Sequence, residues 1–321
     1  HLTVELNKDW WGYDADICGG TPLADKDAGF KSITLKPVPE SATRVAMIQS
    51  GDAQLIWPVP DENLAGLKSD PNVIVGQDQG LVVRYLMMNN QKKPFNDKKV
   101  RQAINYAIDK QALVDTIVEG RGTVANSYIN NTIPGWTDEV EAYPYDPEKA
   151  KELMAEAGYP DGFSCQLWVN GDVRTRSAQM VQAQLAEIGI TVDISTMEWG
   201  AFLDALNAGE HEMFILGWSN GTFDADGSTY QLFHSSNHGA TGNRAFYSNP
   251  EVDTLIEQAQ KESDNAKRME LYKEIQQKIN DDAPWACLFY GTTCTGIRAD
   301  LKGFVLHPSS ANHYENLYYE K

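Results

Sequence analysis

Apolar and polar positions along the chain follow two periods, and the two periods alternate. The apolar run LVVRYLMMNN predicts a long strand. In the segment after it, apolar residues recur every three to four positions, which predicts one face of a helix. These residues are Val100, Ala103, Ile104, Ala107 and Ile108. Asp109 then interrupts the pattern, and a second apolar face continues through Leu113 and Ile117.

Residues that start and stop helices support this assignment. Asp146 is a predicted N-cap, Pro147 stands at the first helical position, and Gly158 ends the helix. Ser41 is a plausible N-cap for an earlier helix, and another helix starts near Asp264. Further strands are predicted at AQLIW, NVIVG, SCQLWV, ITVDIS, EMFILGW and WACLFY. Strands that alternate with helices in this way are typical of an α/β fold.

The order of the elements suggests two structural units. Strand–helix alternation predicts one α/β domain over residues 85–294, and residues 1–84, rejoined by 295–321, form the second unit. Two crossings of the chain between such units make a hinge, which is a common place for a ligand cleft.

Composition excludes several classes of partner. The 321 residues carry a formal net charge of −18, which argues against nucleic acid and against a polybasic membrane-surface protein. No apolar run approaches the length of a membrane span. The chain opens at His1 without a charged segment followed by an apolar run, so no signal peptide is predicted in it.

The four cysteines do not predict a metal site, since none forms C-x-x-C and no pair has zinc-ligand spacing. Cys287 and Cys294 lie on one apolar stretch and cannot bridge if that stretch is a continuous strand. A Cys18–Cys165 disulfide is an open alternative to the favoured interpretation of buried free thiols. No P-loop, dinucleotide fingerprint or zinc motif occurs, and no cofactor is predicted.

One segment resembles a catalytic motif. Residues 217–221 match G-x-S-x-G, the nucleophile elbow of α/β hydrolases, with Ser219 in the nucleophile position after a strand. Candidate partners follow in chain order, and they are Asp224, Asp253, His307 and His313. The elbow requires a helix directly after the serine, whereas GTFDADGSTY reads as a loop. A hydrolase is therefore kept only as the alternative.

Two other pairs of residues, one of aspartates and one of histidines, could each be either functional or purely structural. Asp224 and Asp226 could form a glycosidase acid/base pair, but neighbouring loop carboxylates are more often turn formers. His234 and His238 have metal-ligand spacing only if they lie on a helix, and the loop formers around them favour exposed loop histidines.

Two tryptophans lie where elements begin or end. Trp199 starts a predicted helix and Trp218 ends a predicted strand. Ligand sites in open α/β sheets gather at the carboxyl ends of strands, so aromatic residues there can line a pocket. Packing at the edge of the core is the alternative.

Several segments together resemble one family, and they run in family order over nearly the whole chain. They are LNKDWWG, RVAMIQSGDAQLI, KPFNDKKVRQAINYAIDK, YPYDPEKAKELMAEAGYPDGF and EWGAFLDALNAGEHEMFILGW. With these segments, the chain resembles the bacterial extracellular solute-binding proteins of family 5. This family contains the dipeptide-, oligopeptide- and nickel-binding proteins of ABC importers.

The resemblance implies a periplasmic-binding-protein-like α/β fold of the peptide-binding class (type II), with three lobes that close by hinge motion. Its alignment implies an N-terminally truncated fragment, with a complete domain III over 85–294 and part of domain I over 1–84 and 295–321. The implied location is extracytoplasmic, either in the periplasm or, in a Gram-positive bacterium, as a cell-surface lipoprotein. Membrane attachment is then expected only through an anchor absent from this chain.

The resemblance also implies a ligand site. Peptide receptors of the family hold an extended ligand as an added strand, and their two cleft tryptophans match Trp199 and Trp218. Their aspartate for the ligand's α-ammonium lies three residues after the second tryptophan, where this chain has Gly221. Asp224 or Asp226 could replace it, and Arg174 and Arg176 are the nearest candidates for the ligand carboxylate. The predicted ligand-binding residues are Arg174, Arg176, Trp199, Trp218, Ser219, Asn220, Gly221, Thr222, Asp224 and Asp226.

The sequence therefore predicts a receptor without catalytic activity, which binds a small peptide or peptide-like solute and docks to the permease subunits of an ABC transporter. A nickel chelate, glutathione or an oligosaccharide are alternative ligands. A hydrolase that uses Ser219 is the alternative function.

Overall fold

The computed structural model describes residues 1–5, 7–18, 20, 30–307, 314 and 317–319. The chain forms two compact units, one of His1–Gly80 with Thr292–Lys321 and the other of Leu81–Gly291. The division predicted at 84/85 and 294/295, and the assignment of its parts to domains I and III, stays a prediction.

Strands and helices alternate along the described chain. The strands are β1 (Leu2–Glu5), β2 (Ser32–Leu35), β3 (Leu55–Ile56), β4 (Val73–Met88), β5 (Thr123–Val124), β6 (Phe163–Val169), β7 (Ile190–Thr196), β8 (Met213–Ser219), β9 (Trp285–Arg298), β10 (Leu301–Lys302) and β11 (Tyr318–Tyr319). The α-helices are α1 (Ser41–Ser50), α2 (Leu64–Lys68), α3 (Lys98–Ala107), α4 (Lys110–Ile117), α5 (Pro147–Glu156), α6 (Asp172–Ala186), α7 (Trp199–Asn207), α8 (Asp226–Phe233), α9 (Pro250–Lys261) and α10 (Asn265–Asp282).

The first unit contains short antiparallel pairings, β1 with β2 and β10 with β11. Its helix α1 starts one residue earlier than predicted. Ser41 is the first helical residue, and Glu40 is the N-cap without a side-chain cap. The Ser41 hydroxyl instead accepts a hydrogen bond from Arg44 Nη2 at 3.1 Å, so it does not cap the helix.

The second unit is built on one mixed sheet with the strand order β9-β4-β8-β6-β7, and β5 pairs with β9. Strand β6 runs parallel to both β7 and β8, whereas β4 runs antiparallel to β8. The carboxyl ends of β6, β7 and β8 therefore meet at one edge of the sheet.

Both faces of this sheet are buried, because alternate residues of a strand point to opposite faces. One face packs with α3, α4, α5 and α6 through residues such as Leu86 and Ile215. The other packs with α7, α8, α9 and α10 through residues such as Tyr85 and Phe214. The apolar runs of β4 and β8 are explained by this burial on both faces.

Most predicted helix starts are confirmed by capping hydrogen bonds. Asp146 accepts from the backbone N–H of Lys149 at 2.9 Å, with Pro147 at the first turn of α5. Asp109 caps α4 and separates it from α3, as the interrupted pattern predicts. Asp264 caps α10. Each cap satisfies backbone donors that no helical carbonyl can reach.

Three elements differ from the sequence prediction. NVIVG and LVVRYLMMNN, predicted as separate strands, are parts of the single strand β4, and β9 continues past WACLFY to Arg298. The segment read as a loop after Gly221 turns into α8 at Asp226. This helix packs against α9, and its Phe233 contacts Tyr128 across the core, so tertiary contacts that the local sequence does not reveal support it.

The cysteines are free thiols. Cys165 and Cys294 are buried, and Cys18 and Cys287 are half-buried. Cys287 and Cys294 lie on the continuous strand β9, which agrees with the prediction that they cannot bridge. The alternative Cys18–Cys165 disulfide is not formed.

Candidate functional site

Most of the predicted ligand-binding residues follow the three parallel strand ends. Arg174 and Arg176 lie in the first turns of α6 after β6, and Trp199 begins α7 after β7. Residues 218–226 form the end of β8 and the turn into α8. Since these strands are neighbours with a common direction, their three connections lie at one edge, which we call the strand-end site. Such edges are where open α/β sheets bind ligands.

Trp199 is presented to solvent on a well-capped helix start. Glu198 accepts hydrogen bonds from the backbone N–H groups of Gly200 and Ala201 at 2.7 and 3.2 Å. Trp199 remains 45% exposed, so its ring is accessible from solvent. The cap fixes the start of the helix that carries this ring.

Arg174 lies over the Trp199 ring, with the guanidinium carbon 5.6 Å from the ring centroid. Its Nη2 donates to Asn170 Oδ1 at 3.0 Å, and its Nε donates to the Asn170 carbonyl oxygen. Asn170 in turn donates to the Met197 carbonyl at 2.7 Å, which ties the end of β6 to the end of β7. Burial, and then the charge of Arg84, lower the pKa of Arg174 to about 10, so it stays a cation at neutral pH. Arg176, two residues further along the helix, is exposed.

Trp218 is held by the sheet rather than by a helix. It stands opposite Val83 of β4 and packs against the core of the second face. Its indole Nε1 is buried and has no hydrogen-bond partner. Ser219, the next residue, is an exposed strand-end residue opposite Val82.

Asn220 organises the turn after β8. Its side chain is 2% exposed. Its Nδ2 donates to the Asp224 carbonyl at 2.7 Å and to Ser228 Oγ at 2.9 Å. Its Oδ1 accepts from the backbone N–H and the hydroxyl of Thr222 at 3.2 and 2.7 Å. The amide is therefore saturated by the protein, and its role in the site is to shape the turn.

The two aspartates of the turn are engaged by neighbouring helices. Asp224 accepts two hydrogen bonds from the Arg268 guanidinium at 2.8 and 2.6 Å, and this pairing lowers the pKa of the carboxyl group. Its contribution to stability is present above the unfolded pKa and is lost as pH falls through the lowered one. Asp226 accepts from Gln260 at 3.0 Å. Both contacts favour the interpretation as structural turn residues over a replacement for the ammonium-binding aspartate.

We expect Asn220→Ala to lower the free energy of unfolding by about 1–3 kcal/mol, because it leaves buried donors and acceptors of the turn unpaired. Urea unfolding of the variant measures this loss. The control is Ser219→Ala at the exposed neighbour, which we expect to stay within about 0.5 kcal/mol of the parent. Equal stability of the two variants would contradict the bracing role of Asn220.

The hydrolase motif lacks its structural context. No helix follows Ser219 directly, since α8 starts at Asp226. Asp253 accepts from the backbone N–H of Ser235 at 2.9 Å, in another loop. Within the described part of the chain, no hydrogen bond joins Ser219 to a histidine, and His313 lies outside the described residues. The nucleophile elbow is therefore a coincidence of five residues.

The paired histidines are used by their own loop, and the prediction that they are exposed is wrong, since His234 is buried and His238 is half-buried. His234 Nδ1 lies 2.7 Å from Ser236 Oγ, and His238 Nε2 lies 2.9 Å from the Tyr247 carbonyl. Short 3-10 turns occupy this segment in place of the helix that metal-ligand spacing would need. Among the described residues, no group of three His, Cys, Asp or Glu side chains could hold a metal ion.

Sequence reasoning missed two residues of the site. Arg84 interrupts the apolar face of β4 opposite Gly217, and a charged residue inside an apolar strand was the signal for it. Phe223 is 38% exposed and adopts a left-handed backbone with φ 55°. Such a conformation is strained for a bulky residue and tends to occur at functional sites.

No helix in the described ranges is long and apolar enough to cross a membrane.

Comparison with known proteins identifies the family. The family model described as bacterial extracellular solute-binding proteins, family 5 Middle, matches residues 1–240. The heme-binding protein A of Haemophilus influenzae is 36% identical over 296 residues, which cover 90% of this chain and 53% of that protein. The glutathione-binding protein of Pectobacterium atrosepticum is 37% identical over 293 residues, covering 89% of this chain and 57% of that protein. The chain thus spans about half the length of the curated relatives it matches.

The fold has a close counterpart in a solved structure. It is the ABC transporter-associated periplasmic binding protein DppA of Helicobacter pylori, in complex with the peptide STSA. The two structures superpose with a TM-score of 0.85 at 32% identity, over 91% of this chain and 57% of that one. This match confirms the predicted α/β fold of the peptide-binding periplasmic proteins. All three proteins are described as binding proteins and none as an enzyme. The chain belongs to the bacterial extracellular solute-binding proteins of family 5.

Proposed function

We propose that this protein is the substrate-binding protein of an ABC importer and that it binds a peptide or peptide-like solute at the strand-end site. The observation that carries the proposal is the arrangement of two tryptophans and a half-buried arginine where three parallel strands end. The ring of Trp199 is exposed, and the Arg174 guanidinium lies above it as a cation. Trp218 packs against the core at the end of β8 and lines the site there.

The chemistry of these groups fits a peptide-like ligand. Aromatic rings contribute large contact areas at low entropic cost, and a guanidinium can hold a carboxylate through two parallel hydrogen bonds. Ser219 is exposed at the end of β8, which is where an extended ligand would be added as a strand. The family membership, and the peptide, glutathione and heme for which the relatives are named, support a small solute. Delivery to permease subunits outside the cytoplasm completes the proposed role.

A thermal-shift screen of the full-length protein tests the proposal. The panel contains di- to pentapeptides, glutathione, nickel–histidine and oligosaccharides. A ligand that binds only the folded state at a hundred times its Kd stabilises it by about 2.7 kcal/mol. We expect a selective rise in Tm for peptide-like members. No rise from any member, together with ester hydrolysis that Ser219→Ala abolishes, would overturn the proposal in favour of the hydrolase.

The exposed ring of Trp199 should matter for that binding. We expect Trp199→Ala to weaken ligand binding by about tenfold or more, because truncated aromatic anchors commonly cost over 1 kcal/mol of binding. Tyr145→Ala is a matched control, since Tyr145 is 43% exposed but contacts Glu187 just after the far end of α6. Isothermal titration calorimetry of both variants measures the difference. A ligand bound equally well by both would place the site elsewhere.

A further inference from the structure

A small internal cavity lies in the second unit, towards the end of the sheet opposite to the strand-end site. Its volume is about 20 Å³, measured as the space open to the centre of a water molecule, and one water needs roughly 10–15 Å³. Its wall includes Lys110, the first residue of α4, and Trp285, the first residue of β9. Beside Trp285, the Pro284 carbonyl accepts from the backbone N–H of Met88 at 3.4 Å, and Met88 pairs with Met213, where β8 begins.

Lys110 brings a buried positive charge to this cavity. It is 5% exposed, and among the described residues of the wall it is the only charged one. Burial lowers the pKa of Lys110 to about 8, so most of it is still an ammonium ion at neutral pH. Buried charges in proteins are normally paired.

The protein supplies no counterion for this ammonium group among the residues that the structure describes. The described contact of Lys110 is with the ring of Tyr143, whose centroid lies 5.7 Å from Nζ and which accepts no ordinary hydrogen bond. Asp109, its neighbour in the chain, accepts from the backbone N–H of Ala112 at 2.9 Å as the cap of α4. Cys287 shares the wall, but burial raises the pKa of its thiol to about 12, so the thiol is neutral at pH 7.

Trp285 adds a hydrogen-bond donor without an acceptor. The residue is 4% exposed, and its ring stacks on Tyr85 with the centroids 3.8 Å apart. Its Nε1 is buried and has no hydrogen-bond partner in the described protein. Since an indole N–H can only donate, a guest in the cavity is the acceptor that this group lacks.

We propose that this cavity binds a small monovalent anion, chloride, between the Lys110 ammonium group and the Trp285 indole N–H. The anion neutralises the buried charge and accepts hydrogen bonds from both donors. A water molecule accepts such bonds but leaves the charge unpaired. The bound anion joins the start of α4 to the start of β9 and so stabilises the second unit. It is separate from the transported solute, and its site does not depend on the proposed function.

Thermal unfolding in matched salts tests this site. The Tm of the full-length protein is compared in sodium chloride, sodium bromide and sodium gluconate at equal concentration, since gluconate is too large for the cavity. We expect Tm to be higher by about 2 °C or more in either halide at about ten times its Kd, because the anion binds only the folded state. Equal Tm values in the three salts would overturn the inference.

Three variants separate the site from general salt effects. Lys110→Met removes the charge at nearly the same side-chain length, and we expect it to abolish the difference between halide and gluconate. Trp285→Phe keeps an aromatic ring beside Tyr85 and should weaken halide binding about tenfold, the effect of one charge-assisted hydrogen bond. Lys261→Met, at an exposed lysine of α9, should keep the full difference. A difference that survives in Lys110→Met would contradict the site.

Crystals of the parent protein grown in bromide locate the anion directly, because bromide scatters anomalously. We expect one anomalous peak in the cavity, within hydrogen-bond distance of Lys110 Nζ and Trp285 Nε1. Water density without an anomalous peak would mean a buried water only. A peak without any halide effect on Tm would mean binding at crystal concentration only. Either result would overturn the inference and leave the proposed function intact.

Discussion

Replacing Gly221 by aspartate is expected to increase the affinity for peptides with a free α-ammonium group by about ten- to a hundredfold, the effect of one charge-assisted hydrogen bond. In the peptide receptors that this chain resembles, an aspartate stands at the matching position. A side chain fits here, because a Cβ at Gly221 would meet no atom within 4 Å and its backbone is not left-handed. Asp224 cannot supply this charge without leaving Arg268.

The Gly221 experiment compares three proteins, which are the parent, Gly221→Asp and Gly221→Asn. Calorimetry compares a free dipeptide with its N-acetylated form in the parent protein and in Gly221→Asp. Gly221→Asn is the matched control, since it adds nearly the same volume without the charge. The gain should appear only with the aspartate and only for the free amine. An equal gain for the acetylated peptide would mean that the ammonium group does not lie near this turn.

Gly162→Ala is expected to destabilise the protein by about 3 kcal/mol or more, through backbone strain and steric overlap together. Gly162 precedes β6 and has a left-handed φ of 77°. A Cβ there would overlap the carbonyl oxygen of Gly189 and lie 2.8 Å from its Cα. These two glycines allow the chain segments that enter β6 and β7 to touch, and both strands lead to the strand-end site.

Gly158→Ala is the control that separates the cost of backbone strain from the cost of steric overlap. Gly158 also has a left-handed backbone, with φ 86°, but a Cβ there would meet no atom within 4 Å. We expect this variant to lose only about 1 kcal/mol, the cost of the backbone conformation alone. Urea unfolding curves give both values. If Gly162→Ala were as stable as Gly158→Ala, the close approach of the two glycines would not constrain the entry to the parallel strands.

The position of the aromatic anchors could be predicted from the sequence to a useful degree. Trp199 and Trp218 were expected at a helix start and a strand end, and they lie there. Element boundaries depend on residues near in sequence, such as the Glu198 cap and the apolar run of β8. Whether the two rings hold ligand stays a prediction until binding is measured.

The sequence by itself determined the α/β class and most of the capped helix starts, because these depend on local hydrogen bonds and on the period of apolar residues. Only the tertiary structure decided the state of the polar groups. Asp224 is engaged by Arg268, 44 positions away, and Arg174 lies over the ring of Trp199, 25 positions away. Such pairings depend on the strand order and on the register of β4 and β8. Charges distant in sequence meet only when the chain folds, so no local pattern could reveal which carboxylates are engaged.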